Sequence, residues 1–182
     1  MQYGDVDIKD ARTQIPAGTE PCIDYWMRDP HVSIGRDGCY YLTGTTRPEG
    51  GRTDPLHVWS DGVRLWRSPN LEDWEPLGMV WSLDDGAEWQ RNFYVYWPDG
   101  ARVMSPEEFH RNPPPPWVRV KRAVWGPKVH YSRKHDNYFI PACMNLNVGV
   151  QAAEWYGDLF GGTFILRSLS GEPEGPYEPT TM

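Results

Sequence analysis

The residue whose surroundings best suit chemistry is Asp29, which lies between Arg28 and Pro30. A carboxylate can serve as a general base, because it can take a proton from water and so activate that water as a nucleophile. The following proline favours an extended backbone at Asp29, which would direct its side chain along a sheet edge rather than into a core. An aspartate that bonds nearby backbone amides at a strand start has the same sequence pattern.

Asp29 precedes a predicted β-hairpin. Residues 31–34 alternate in polarity, glycines supply the turn, and residues 40–43 return as an aromatic and β-branched strand. Alternation of the same kind predicts further strands at 56–59, 63–68 and 74–78. We therefore predict one antiparallel sheet of about four strands over residues 28–82.

The order of these segments recurs about a hundred residues later. Residues 125–131 correspond to the opening of the first sheet, and residues 137–142 and 165–168 correspond to 39–44 and 65–68. Repetition of a four-stranded sheet is typical of β-propellers. The chain is therefore predicted to be all-β. Its predicted regions are an extended lead-in at 1–21 and a partial propeller at 22–182, with a second sheet at 123–179.

An insertion at about residues 83–122 separates the two predicted sheets. Strand-like segments flank residues 98–100, which predict a hairpin turn. Ser105, followed by a proline and two glutamates, predicts the start of a short helix.

Composition excludes several classes of protein. The 18 Gly and 18 Pro fit short strands better than long helices, and the net charge of −7 without a basic stripe argues against nucleic acid. No apolar run long enough for a membrane span and no secretory leader is present in this sequence, so a cytoplasmic protein is the default expectation. Three well-separated cysteines predict buried free thiols and no zinc site: Cys22, Cys39 and Cys143.

Several of these segments, in this order, resemble the opening blades of glycoside hydrolase family 43. They are the Asp-Pro at 29–30, residues 40–45, residues 65–75, residues 124–131 and the closing residues 171–177. The resemblance covers about residues 22–179 and implies the two N-terminal blades of a five-bladed propeller. It also implies inverting hydrolysis of glycans that contain arabinose or xylose, with an oligosaccharide or polysaccharide as partner.

The resemblance assigns roles to two residues. Asp29 matches the general base of the family. Lys128 stands where the family has a third carboxylate that tunes and orients the general acid. A cation at that position would favour the charged form of Asp29, make it a weaker base, and leave the acid without its usual partner.

No residue of this sequence matches the general acid, which the family carries in its third blade. The spacing of the available glutamates favours none of them: Glu88, Glu107, Glu108 and Glu154. Two blades leave sheet edges open, so the chain is interpreted as a fragment of a longer enzyme, an assembly of several chains through open edges, or a reduced protein.

Ring-bearing side chains are candidates for sugar binding, since flat indole faces suit the C–H faces of sugars. Trp89 and Trp125 are the first candidates, ahead of Trp26 and Trp66, although most strand tryptophans pack in a core. His31 shares a repeat position with His130, so one of the two is expected near the propeller axis, where an imidazole can help to hold an ion.

Two functions are therefore carried forward from the sequence. The first is a glycosidase in which Asp29 is the base, inactive in this chain if no acid is supplied. The second is a carbohydrate-binding propeller fragment without chemistry, which the lysine at position 128 favours. No cofactor is expected, although a central structural ion such as calcium is compatible with the fold.

Overall fold

The computed structural model describes residues 21–47, 60–97, 99–113, 115, 119–121, 123–147 and 159–180. Within these residues the chain is all-β, as predicted, with antiparallel sheets and short helices. The predicted strand at 56–59 and the lead-in at 1–20 lie outside them. None of the helices in the described ranges is long and apolar enough to cross a membrane.

The first sheet has the strand order β1–β2–β3–β4. Its strands are β1 (Met27–Ile34), β2 (Tyr40–Thr46), β3 (Gly62–Ser68) and β4 (Glu75–Ser82). The two central strands are buried along almost their whole length. β1 lies at the edge and alternates in exposure, so that Val32 and Ile34 are 44% and 61% exposed.

The second sheet has the order β12–β11–β10–β8, and β9 also pairs with β10. Its strands are β8 (Ala123–Trp125), β9 (His130–Ser132), β10 (Asn137–Asn147), β11 (Leu159–Ser168) and β12 (Tyr177–Pro179). The sequence predicts four strands, and the structure has five because the first strand is divided in two. Residues 126–129 pass between the two halves, and the long β10 pairs with both of them.

Corresponding residues of the two sheets make the same contacts. The third strand of each sheet ends in Ser68 or Ser168, whose Oγ accepts the backbone N–H three residues on, at 2.8 and 3.1 Å. The preceding arginine, Arg67 or Arg167, forms an ion pair with a glutamate of the fourth strand, at 2.9 and 2.7 Å. The repeat seen in the sequence is therefore a repeat of structure.

The insertion forms a third sheet with the order β6–β5–β7. Its elements are a 3-10 turn (Leu83–Asp85), α1 (Glu88–Arg91), β5 (Phe93–Trp97), β6 (Gly100–Met104), α2 (Pro106–Arg111) and β7 (Arg119–Lys121). Ser105 caps α2 as predicted, because its Oγ accepts the backbone N–H of Glu108 at 3.2 Å.

The two repeated sheets pack face to face around one hydrophobic core. Trp81 of the first sheet contacts Phe164 of the second with ring centroids 5.4 Å apart, and Tyr41 contacts Tyr138 at 5.9 Å. Each fully buried aliphatic side chain in such a core stabilises the fold by about 1.5–3 kcal/mol. Those that are completely inaccessible include Val63, Leu65, Leu83, Val124, Val129, Ile140, Met144 and Leu166.

The cysteines are free, but the prediction that they are buried is wrong for two of them. Cys22 and Cys143 are exposed, and Cys39 is half-buried. Cys143 points outward because its neighbours Ala142 and Met144 take the inward positions of β10.

A β-bulge interrupts the pairing of β1 with β2 directly after Arg28. Gly44 faces this bulge from β2, and a Cβ at Gly44 would lie 2.8 Å from the carbonyl oxygen of Arg28 and 2.6 Å from the side chain of Met27. The close approach of the two backbones therefore requires glycine at this position.

We expect Gly44→Ala to destabilise the fold by about 1–3 kcal/mol, because the added methyl group forces the β1 backbone away from β2. Val32→Thr is the matched control. It changes an exposed side chain of the same hairpin, and its effect should stay within about 0.5 kcal/mol. Urea unfolding followed by tryptophan fluorescence measures both, and equal stability of the two variants would contradict the steric argument.

Candidate functional site

Two threonine hydroxyls join the sheets along a line that we call the seam, where residues 28–31 and 43–45 face residues 125–130. Thr43 Oγ1 donates to the carbonyl oxygen of Pro127 at 2.8 Å and accepts the N–H of Val129 at 3.3 Å. Thr45 Oγ1 accepts the N–H of Gly126 at 2.8 Å. Both side chains are buried and lie on the same face of β2, so they fix the segment that divides the first strand of the second sheet.

Asp29 occupies the bulge of β1, and its backbone is not extended as the sequence suggests. Its φ is 54°, in the left-handed region that is uncommon for residues other than glycine. The bulge overrides the effect of the following proline, because two residues of β1 must fit between the partners of Thr45 and Thr43. Gly126, which also precedes a proline in the second sheet, has the same φ of 54°.

The comparison with Gly126 shows what is unusual about Asp29. The same backbone conformation occurs in both repeats, and glycine adopts it without steric cost. At Asp29 the chain carries a carboxylate where a left-handed residue costs of order 1–3 kcal/mol. Strain of this kind is most often kept at functional sites.

The Asp29 carboxylate is held from one side. Thr45 donates its hydroxyl proton to Oδ2 at 3.2 Å, and Nε of Arg28 lies 3.6 Å from the same oxygen. Because both contacts use Oδ2, Oδ1 remains available to an incoming molecule. The side chain is 56% exposed, so solvent and ligands can reach it.

Thr45 thus connects the second sheet to Asp29. The Gly126 N–H bonds to Thr45 Oγ1, and Thr45 in turn donates to Asp29. Sequence reasoning missed this residue, although alternating threonines in residues 43–46 opposite an Asp-Pro pair were the available signal.

Trp125 lies next to Asp29, which agrees with the proposal that it lines the site. The Arg28 guanidinium is 5.4 Å from the centroid of its ring, and the ring is half-buried. Its indole Nε1 is buried and has no hydrogen-bond partner among the described residues. Arg28 therefore contacts both the aromatic ring and the carboxylate.

His31 and His130 meet at the seam, with ring centroids 4.8 Å apart and planes inclined by 56°. Nε2 of His31 is buried without a hydrogen-bond partner in the described part of the chain. Burial lowers the pKa of His31, and the nearby His130 and then Lys128 lower it further. The neutral imidazole is therefore the favoured form.

Lys128 is exposed, and its backbone N–H donates to the carbonyl oxygen of Pro141 at 3.1 Å. Its electrostatic effect on His31 places its charge at the seam. The influence that the sequence predicts for Lys128 on Asp29 stays a prediction.

The other tryptophan candidates have different surroundings. Trp66 is 5% exposed and packs against Tyr25 at 5.4 Å, so it belongs to the core. Trp26 is 42% exposed and stacks with the guanidinium of Arg47 at 4.2 Å. Trp89 lies on α1, and its side chain is outside the described residues.

Carboxylates and metal ligands add little to the seam. Glu107 and Glu108 are exposed on α2, Glu88 is exposed on α1, and Glu154 is outside the described residues. In the described ranges no group of three or more His, Cys, Asp or Glu side chains is arranged to hold a metal ion. The calcium ion that the fold is compatible with therefore remains an expectation.

No family model matches the sequence, and no curated protein matches it. Solved structures do match. An exo-β-1,3-galactanase from Clostridium thermocellum is 17% identical with a TM-score of 0.48, over 85% of this chain and 23% of that chain. An endo-arabinase from Bacteroides thetaiotaomicron is 20% identical with a TM-score of 0.45, over 90% of this chain and 37% of that chain.

A third match is a family-43 β-xylosidase/α-arabinofuranosidase from a compost microbial metagenome, solved in complex with xylotriose. It is 12% identical with a TM-score of 0.49, over 90% of this chain and 37% of that chain. This is the glycoside hydrolase family that the sequence motifs resemble. The chain spans between 23% and 37% of the length of these three solved chains.

We expect Thr45→Val to lower the free energy of unfolding by about 1–3 kcal/mol, because the isosteric side chain leaves the Gly126 N–H without its acceptor. Thr45→Ser keeps the hydroxyl and is the matched control. Urea unfolding of both variants measures the difference. A Thr45→Val protein as stable as Thr45→Ser would show that the hydroxyl does not support the seam.

The lowered pKa of His31 predicts a stability that depends on pH. The unfolded chain takes up a proton at His31 near its ordinary pKa of about 6.5, whereas the folded chain resists it. The favourable contribution of neutral His31 is therefore complete above about pH 6.5 and is lost as the pH falls through the lower folded pKa. His31→Gln should flatten this part of the profile, measured by urea unfolding between about pH 5 and 8.

Val32→Thr serves as the control for the pH profile, since it leaves every titrating group of the seam in place. It should retain the wild-type slope. A His31→Gln profile with the same slope would contradict the role given to burial of His31.

Proposed function

We propose that the seam is part of the active site of a glycoside hydrolase and that Asp29 is its general base. The observation that carries the proposal is the exposed Asp29 carboxylate, held in a left-handed backbone where the second sheet has glycine. The bond from Thr45 fixes its direction and leaves Oδ1 for a water molecule. The sequence motifs resemble a family of inverting enzymes, so we propose glycans that contain arabinose or xylose as substrates.

The proposed reaction is an inverting hydrolysis. Asp29 takes a proton from a water molecule, the water oxygen forms a bond to the anomeric carbon, and the glycosidic C–O bond breaks on the opposite face of the sugar. The leaving oxygen takes a proton from a carboxylic acid about 6.5–9.5 Å from the base. The resemblance matches no residue of this sequence to that acid, so the proposal assigns the base alone.

The surroundings of Asp29 suit a sugar. The ring of Trp125 offers apolar surface beside the carboxylate, and the half-buried imidazole of His31 adds a polar group on the same side. Both residues are proposed to contact the glycan. Trp89 is proposed as a further contact because of its place in the insertion.

The second candidate function is glycan binding without hydrolysis. Lys128 favours it, because an exposed cation stands where the resemblance expects a carboxylate that orients the acid. Binding uses the same ring and imidazole surfaces and needs no general acid.

Replacing Asp29 separates the two functions. Asn tolerates the left-handed backbone and can accept the bond from Thr45, so Asp29→Asn should fold normally. If the chain hydrolyses aryl arabinofuranosides or xylosides, the variant should lose about 10²–10⁴-fold in rate. Release of the aryl group, followed by absorbance, is the measurement.

Asp24→Asn is the control, since Asp24 is an exposed acid five residues before the site, and it should keep the wild-type rate. Turnover that survives in Asp29→Asn would refute the assignment of the base. Quenching of tryptophan fluorescence by xylo- or arabino-oligosaccharides without turnover in the wild type would support the binding function instead.

A further inference from the structure

Cationic and imidazole side chains gather at the seam, although the chain as a whole has a net charge of −7. Arg28 and Lys128 are both exposed there, together with the imidazoles of His31 and His130. The local balance is therefore opposite to that of the rest of the molecule. A ligand that approaches Asp29 meets this positive field first.

Arg28 is held in place by two contacts but is not the cation with charge to spare. Its guanidinium lies over the Trp125 ring at 5.4 Å, and its Nε lies 3.6 Å from Asp29. The neighbouring carboxylate offsets most of its charge. Its remaining N–H groups can still donate to a ligand, since a guanidinium has five of them.

Lys128 is the cation that has no acid beside it. Within the residues that the structure describes, it forms no ion pair with a carboxylate. Its backbone is fixed by the bond to Pro141, and its charge contributes to keeping His31 neutral. The ammonium group therefore stands at the seam, available to a ligand.

We infer that the glycan bound at the seam carries an acid group, a uronic-acid carboxylate or a sulfate, which pairs with Lys128. The inference rests on the proposed function, because it takes the seam as a glycan site. Hydrogen bonds between an ammonium group and an anionic oxygen are about twice as strong as neutral ones. A neutral sugar would use Lys128 only as a neutral hydroxyl would be used, whereas an acid group would also neutralise its charge.

The test compares sugars that differ only in the acid group. The probes are the methyl glycosides of glucuronic acid and glucose, those of galacturonic acid and galactose, and methyl glucoside 6-sulfate. Affinity is measured by tryptophan fluorescence at low ionic strength, with the wild type and Lys128→Gln. In at least one pair the acidic sugar should bind about tenfold more tightly than its neutral partner.

The preference should disappear in Lys128→Gln and shrink at about 0.5 M salt, because salt screens an exposed charge pair. Lys134→Gln is the matched control, since Lys134 is exposed on the turn between β9 and β10, and it should keep the preference. Tighter binding of the sulfate than of the glucuronide would identify the acid group as a sulfate, and the reverse order as a carboxylate.

Three results would overturn the inference: equal affinity within both pairs, an acidic preference that survives in Lys128→Gln, and no binding of any probe. Hydrolysis of neutral glycosides by the same preparation would then leave the proposed function intact. Conversely, an acidic preference that depends on Lys128, in a protein that hydrolyses nothing, would support the inference and remove the proposed hydrolysis.

Discussion

The hydrogen bonds from Thr43 and Thr45 across the seam are the interactions on which the rest of the arrangement depends. Apolar packing brings the two sheets together, but hydrophobic contact has no direction and does not fix one backbone segment against another. The threonine hydroxyls supply that direction, because each can bond only with groups placed in line with it. They bond three backbone groups of residues 126–129, and so they fix the region in which Trp125 and Lys128 stand.

Asp29 depends on the same bonds from the other side. Its backbone takes a conformation that glycine adopts freely in the second repeat, and Gly44 gives the bulge its space. The strained residue is stable because the bulge, the proline and the bond from Thr45 all act on it together. One repeat therefore keeps the glycine, and the other carries the carboxylate in the same backbone conformation.

Much of the fold follows from local sequence. The hairpin at residues 31–43, the helix start at Ser105 and the repeated Arg-Ser strand ends depend on turn residues, capping residues and alternation, which act over a few positions. The features that the sequence did not predict depend on distant parts of the chain. The division of the first strand into β8 and β9, and the φ of Asp29, follow from contacts of Thr43, Gly44 and Thr45 that no local pattern contains.

The site shows the same contrast. Asp29 and Trp125 could be chosen from residue type and from the resemblance, and the structure places them side by side. Trp66 could not be separated from an exposed tryptophan, because strand alternation does not say which face is covered. Arg28 was also missed, since its contact with Trp125 joins residues about a hundred positions apart.

The short run from Thr43 to Thr45 has a consequence for recognising this geometry in other chains. Each of its three residues has a separate task that ordinary strand-forming residues cannot take over: the outer two need hydroxyl groups, and the middle one must lack a side chain. Paired with an Asp-Pro on the adjacent strand, the run is a two-part signature. Such a signature would survive in sequences that have diverged too far for whole-chain comparison, because it is held by stereochemistry rather than by ancestry alone.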